Sequence, residues 1–272
     1  MRPLFVLLAV LPLTAADDAN AILKGLVEAE KQNDRLARQY TYREETTWFT
    51  FDKGGRPRRK RSETHDVVFV EGVKFRKLIA RNGTALSKRE AAEVEKEMRE
   101  TAAERRKHGQ YAPGGSIGFG GSRADIGSFP ELLTLFDNRL VGEEEVNGRK
   151  AWVIESVPRA DHEPASPHEQ DLFAFHKKLW IDEAENVMLR MIVTVGEKGL
   201  YSMNGTLLAA PGSSITFETG KVDQQVWEAV RIILDVQRQQ GKAVRPWGRT
   251  EYRDSGFQKF DVESTITVDP PK

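Results

Sequence analysis

The chain of 272 residues carries 41 Lys and Arg against 41 Asp and Glu, five His and no Cys, with 39% hydrophobic residues. That is ordinary globular composition, which excludes disordered and collagen-like classes, and the lack of any thiol removes disulfide frameworks, thiolate metal sites and cysteine nucleophiles. Balanced charge gives no electrostatic case for a nucleic-acid partner.

Residues 1 to 16 read as an export signal. Arg2 supplies the positive start, Leu4 to Leu13 the apolar run, and Thr14-Ala15-Ala16 the small residues before Asp17. The run is far short of the roughly 20 apolar residues of a membrane helix, which disfavours an uncleaved anchor. A periplasmic or secreted protein is expected, with residues 17–272 forming one domain.

From Asp17 to about Arg38, Ile22, Leu23, Leu26, Val27 and Leu36 recur at near-helical spacing, which predicts an amphipathic helix capped by Asp17 or Asp18. The period then changes to two, with Tyr40, Tyr42, Thr46 and Trp48 on one side of an extended segment that ends near Phe51. Asp52-Lys53-Gly54-Gly55 marks a turn. Strands follow at about Ser62 to Val70 and Lys74 to Arg81, the second closed by Asn82-Gly83. Ser87-Lys88-Arg89-Glu90 has the form of a capping box and predicts a helix to about His108. Glycines crowd the segment from Gly109 to Gly127, which predicts a mobile loop. Ser128-Phe129-Pro130-Glu131 then opens a short helix. Strands are expected at about 140–146, 150–158, 172–182, 187–197, 199–209, 214–221, 225–238, 248–252 and 257–268. In the last, Phe260, Val262, Ser264, Ile266 and Val268 alternate with polar residues.

Residues able to carry chemistry are scattered. His162, His168 and His176 lie near Glu163, Glu169 and Asp171, but their spacing matches no two-ligand helical turn, and Pro164 and Pro167 make the region a solvated loop. A metal-dependent enzyme built on these imidazoles is the weakest reading. The basic run Arg56, Arg58, Arg59, Lys60 and Arg61 is able to attract a polyanion or an anionic lipid surface. It follows a Gly-Gly turn and has no interleaved aromatic platform, so it reads as a charged hairpin tip, with peripheral membrane contact as the other possibility. Gly118-Phe119-Gly120-Gly121 is followed by no Lys-Ser/Thr pair, and no nucleophile elbow occurs. No catalytic constellation and no cofactor are therefore expected.

Three segments resemble a known group: Tyr40-Thr41-Tyr42-Arg43-Glu44-Glu45, then Leu179-Trp180-Ile181-Asp182 with Val187-Met188-Leu189-Arg190, and Phe257-Gln258-Lys259-Phe260-Asp261-Val262. Together with the order of elements they look like the periplasmic lipoprotein-localisation carriers of the LolA and LolB type, and exported bacterial proteins of that fold. The resemblance implies an α+β fold: a curved antiparallel half-barrel sheet with an N-terminal helix and inserted helices. It implies a non-catalytic binding protein that carries a lipid or lipoprotein acyl chain on the concave face. Candidate lining residues are Trp48, Phe69, Phe75, Trp152, Met191, Ile232 and Phe260, for each of which plain core packing is as good a reading. A second reading is an envelope sensor that binds a protein partner through the Ser87 to Gly127 insertion.

Overall fold

A computed structural model describes residues 15–70, 73–108, 116–119, 122–201 and 205–260. The expected export segment lies outside them, apart from Ala15 and Ala16, which already belong to the first helix. That helix, α1 (Ala15–Ala37), starts ahead of the expected Asp17 or Asp18 cap. Ala19, Leu23 and Leu26 fall on one face and are wholly buried, as spacings of three and four residues require. Gly25 lets the helix lie close to the sheet, because a Cβ there would sit 3.1 Å from Asn186 Oδ1.

A meander follows of β1 (Tyr40–Phe51), β2 (Pro57–Val70), β3 (Val73–Arg81) and β4 (Thr84–Ala85). Asn82 and Gly83, with φ of 50° and 78°, form the left-handed turn that this dipeptide favours. Helix α2 (Lys88–His108) begins as expected, the Ser87 Oγ accepting from the Glu90 amide at 3.3 Å while the Glu90 carboxylate accepts from the Ser87 amide at 3.0 Å.

In place of one glycine-rich loop, β5 (Ser116–Phe119) and β6 (Ser122–Asp125) pair as a short hairpin; residues 109–115 and 120–121 lie outside the described residues. Helix α3 (Phe129–Leu135), β7 (Phe136–Val146) and β8 (Arg149–Pro158) come next. The loop expected around Pro164 and Pro167 instead contains α4 (Pro167–Leu172). Pro167 stands at the first helical position, where a missing N–H costs nothing, and the Ser166 side chain caps Glu169. The strand expected from residue 172 is therefore shorter, β9 (Phe175–Asp182).

After β10 (Met188–Val195), the strand expected over 199–209 resolves into β11 (Leu200–Tyr201) and β12 (Leu207–Ala209), with residues 202–204 outside the described residues. Then come β13 (Ser214–Val222), β14 (Val226–Gln240) and β15 (Ala243–Lys259). The two strands expected at 248–252 and 257–268 are one through Lys259, while residues 261–268 lie outside the described residues. The basic run lies at the end of the β1–β2 hairpin: Arg58, Arg59 and Arg61 pair with β1, Lys60 falls at a break in register, and Arg56 belongs to the turn.

Eleven of these strands form one curved, unclosed antiparallel sheet in the order β4-β3-β2-β1-β15-β14-β13-β10-β9-β8-β7. The β1–β15 pairing, from Tyr40↔Lys259 to Phe49↔Arg249, joins the first strand to the last described strand. Register carries one face through Ile154, Leu179, Met191, Phe217, Ile232 and Tyr252 to Thr46. Helices α1 and α3 pack on the apolar part of this face, where Leu23, Leu26 and Leu132 meet Ile154, Leu179, Val193, Ile215 and Leu234. Each buried leucine contributes about 2 kcal/mol. The other face has its own clusters, Val153, Trp180, Leu189 and Trp227 in one and Phe75 with Val68 and Ala102 beneath α2 in another.

The Leu-Trp-Ile-Asp segment joins the two faces. Leu179 and Ile181 enter the main core, while the Trp180 indole donates to Glu144 at 2.8 Å. Asp182 accepts two bonds from Arg149 at 2.7 and 2.9 Å and the amides of Ala184 and Glu185 at 3.0 and 2.7 Å, which fixes the turn into β10. Burial works against the Asp182 carboxylate, yet the arginine and the amides hold its pKa below the usual range. At one edge of the sheet β7 breaks register between Leu140 and Gly142 and then exposes Glu143, Glu144 and Glu145; the other edge is the two-residue β4.

Candidate functional site

The concave face offers two clefts. The first, of about 500 Å³, lies between α1, the segment leading into α3, and the sheet. Val27, Ile126, Phe129, Leu132 and Met191 give it apolar walls, and Glu30, Lys31, Asp34 and Lys177 stand among them. Its shape is held by polar clips. Asn138 on β7 donates to the Leu132 carbonyl at 2.7 Å and to the Asn20 side chain at 3.0 Å, and Asn33 exchanges two bonds with the Trp227 backbone at 2.6 and 2.7 Å. Gly127, at φ +80°, lets the chain enter α3 where a Cβ would lie 2.8 Å from Leu172.

The second cleft, of about 580 Å³, lies at the end of the sheet where β1, β14 and β15 run out. Trp48, Phe51, Leu234, Val236, Trp247 and Tyr252 line it. The Arg61 guanidinium stacks over the Trp48 ring at 4.1 Å.

Between α1 and β3 runs a belt of titratable groups. Glu44 accepts from Arg76 Nε at 2.9 Å and from Thr46 at 2.9 Å, and Arg76 also reaches Thr46 at 3.0 Å. Lys74 Nζ lies 3.4 Å from the Tyr42 hydroxyl and 3.8 Å from Glu228. Asp254 Oδ1 and Glu228 Oε1 are buried without a hydrogen-bond partner among the described residues. Burial, aided by neighbouring Glu44, pushes the Asp254 carboxyl up to about 7. Burial next to Asp34 and Glu228 does the same to Glu30, also to about 7. The Glu228 carboxyl is raised and the His65 imidazole lowered, in each case chiefly by burial. Such a belt can take up protons near neutral pH and can answer a cationic or hydroxylated group brought against it.

Two of the loop histidines pair with glutamates. His162 meets Glu169 at 3.0 Å and His168 meets Glu131 at 2.5 Å, the latter tying α4 to α3. Among the described residues no group of three or more His, Asp or Glu is arranged to hold a metal.

Of the residues read as candidate lining, Met191 borders the first cleft and Trp48 the second. Ile232 and Trp152 are half-buried against the main core. Phe69 stacks on Phe260 at 5.8 Å, away from both clefts, and Phe75 points to the opposite face beneath α2. Sequence reading missed Val27 and Phe129, although the helical stripe of α1 contained the first. It also missed Leu234, Val236 and Trp247. No local signal marked the belt, whose members come from α1 and five strands.

No protein-family model matches the sequence and no curated protein is similar to it. Among solved structures the chain is similar to a domain described as outer membrane lipoprotein-sorting from Vibrio parahaemolyticus, with 12% identity over 87% of this chain and 93% of that one and a TM-score of 0.38. It is similar to a DUF1329 family protein from Desulfovibrio piger, with 12% identity, coverage of 93% and 96%, and a TM-score of 0.38. A LolA superfamily protein from Nitrosomonas europaea shows 13% identity, coverage of 92% and 96%, and a TM-score of 0.32. At such low identity these are likenesses of fold alone.

Proposed function

We propose that the chain is a non-catalytic binding protein that acts outside the cytoplasm and holds the acyl chain of a lipid or lipoprotein on its concave face. The observation that supports this reading is the cleft between α1 and α3, with apolar walls from Val27, Ile126, Phe129, Leu132 and Met191 and charged groups beside them. Its volume of about 500 Å³ falls in the range of sites for small ligands. Each methylene buried there is worth about 0.8 kcal/mol, so a chain of about a dozen carbons is held without directional contacts. Binding of this kind asks for no reactive residue.

The test is organic extraction of the purified chain followed by mass spectrometry, with a fluorescent fatty acid as the titrated probe. Co-purified lipid and saturable probe binding are expected. Met191→Trp, which places a larger ring in the cleft, should weaken the probe at least tenfold while the unfolding midpoint stays within a few degrees. A clean extract together with no probe binding defeats the reading.

A further inference from the structure

Although the whole chain has no net charge, one end of its sheet is strongly basic. Residues 52–61 and 238–249 hold ten Lys and Arg and a single acid, Asp52. These segments are the β1–β2 and β14–β15 hairpin ends, and the pairing of Phe49 with Arg249 makes them neighbours projecting from the same end of the sheet. Lys53, Arg56, Lys60, Lys242 and Arg245 are all exposed and form no salt bridge among the described residues. Aromatic groups missing from the basic run itself are supplied by its neighbours in space. Trp247 is 50% exposed and Val244 43%, and the Arg238 guanidinium stacks over the Trp247 ring at 4.3 Å. The second cleft opens here, floored by Leu234 and Val236.

We propose that this end of the sheet docks on a bilayer surface carrying anionic phospholipid. Basic side chains near such a surface attract its headgroups, and tryptophan favours the boundary between headgroup and acyl chain. A flat polyanion would use the charges but leave Val244 and Trp247 in water; a bilayer covers both. The docked geometry points the open cleft at the lipid. The inference is independent of what the concave face holds.

The purified full chain is sedimented with vesicles of phosphatidylcholine alone and with about 30% phosphatidylglycerol added. Binding is expected only to the second, weakening steeply between about 0.05 and 0.5 M salt as screening shortens the field. The variant K53Q/R56Q/K242Q/R245Q should bind several hundredfold more weakly, at about fivefold per charge removed. Trp247→Ala should lose about tenfold and keep the salt dependence. Neutralising four exposed bases on α2, Lys88, Arg89, Lys96 and Arg99, should change nothing. Circular dichroism confirms that each variant is folded. Equal binding to pure phosphatidylcholine, unchanged affinity of the hairpin variant, or tighter binding to a short single-stranded DNA than to the anionic vesicles would overturn the proposal.

Discussion

The concave face is built twice from the same alternation with opposite results. On β8, β9, β10 and β13 its inward positions are Ile154, Leu179, Val193 and Ile215, all buried beneath α1 and α3. On β15, β1 and β3 the same side presents Asp254, Glu44, Thr46 and Arg76. Helix α1 packs chiefly along β7 and β14, and its Glu30 and Asp34 stand at the border between the halves. A period of two fixes which side a residue faces. Whether that side becomes core depends on what is laid across it.

The two halves should break differently. Leu179→Ala, in the helix-covered half, removes a wholly buried side chain and should cost about 3 to 4 kcal/mol in urea unfolding. A comparable loss from a neutral change in the polar belt would erase the distinction. Asp182→Ala should cost about 3 kcal/mol, because it leaves Arg149 and two amides without their acceptor.

In the polar belt the sign reverses. The Asp254 and Glu30 carboxyls rise to about 7 from their ordinary 3.8 and 4.5. Between those values the native state keeps protons that the unfolded chain has released, so this part of the stability is present in acid and falls as pH rises toward 7. Asp254→Asn should therefore raise stability by about 1 kcal/mol at pH 8 and leave it unchanged near pH 4, as read by thermal unfolding across pH. Asp182 runs the other way: its depressed pKa gives stability above the usual aspartate range that is lost on acidification. The polar belt thus shapes the neutral limb of the pH profile, and the Asp182 turn shapes the acid limb.

Much of this was legible in the sequence where a signal is local. The stripe Leu23, Leu26 marked α1, serines at 87 and 128 marked helix starts, and Asn82-Gly83 marked its turn. Proline misled at α4, because Pro167 breaks a helix interior but suits a first turn. Strands expected separately at 248–252 and 257–268 are one strand, β15, which runs through Gly248 and through Gly256 at φ +60°. The site was harder to see, because alternation says which residues share a side and not which strands meet. Glu44 and Asp254 are 210 positions apart and become neighbours only through the β1–β15 pairing. Phe75 shows the same limit: its strand was read correctly, but its register puts it under α2.

An open sheet keeps two rims with unsatisfied backbone groups, and identical molecules could in principle zip together along them. Here the β7 rim is kinked at Leu140–Gly142 and then carries three successive negative charges, so a second copy brought alongside meets like charge and a broken ladder. At the opposite rim β4 pairs only with Ala80 and Arg81 of β3, the strand against which α2 packs. The sheet can therefore stay open without turning its β7 margin into a template for fibrils.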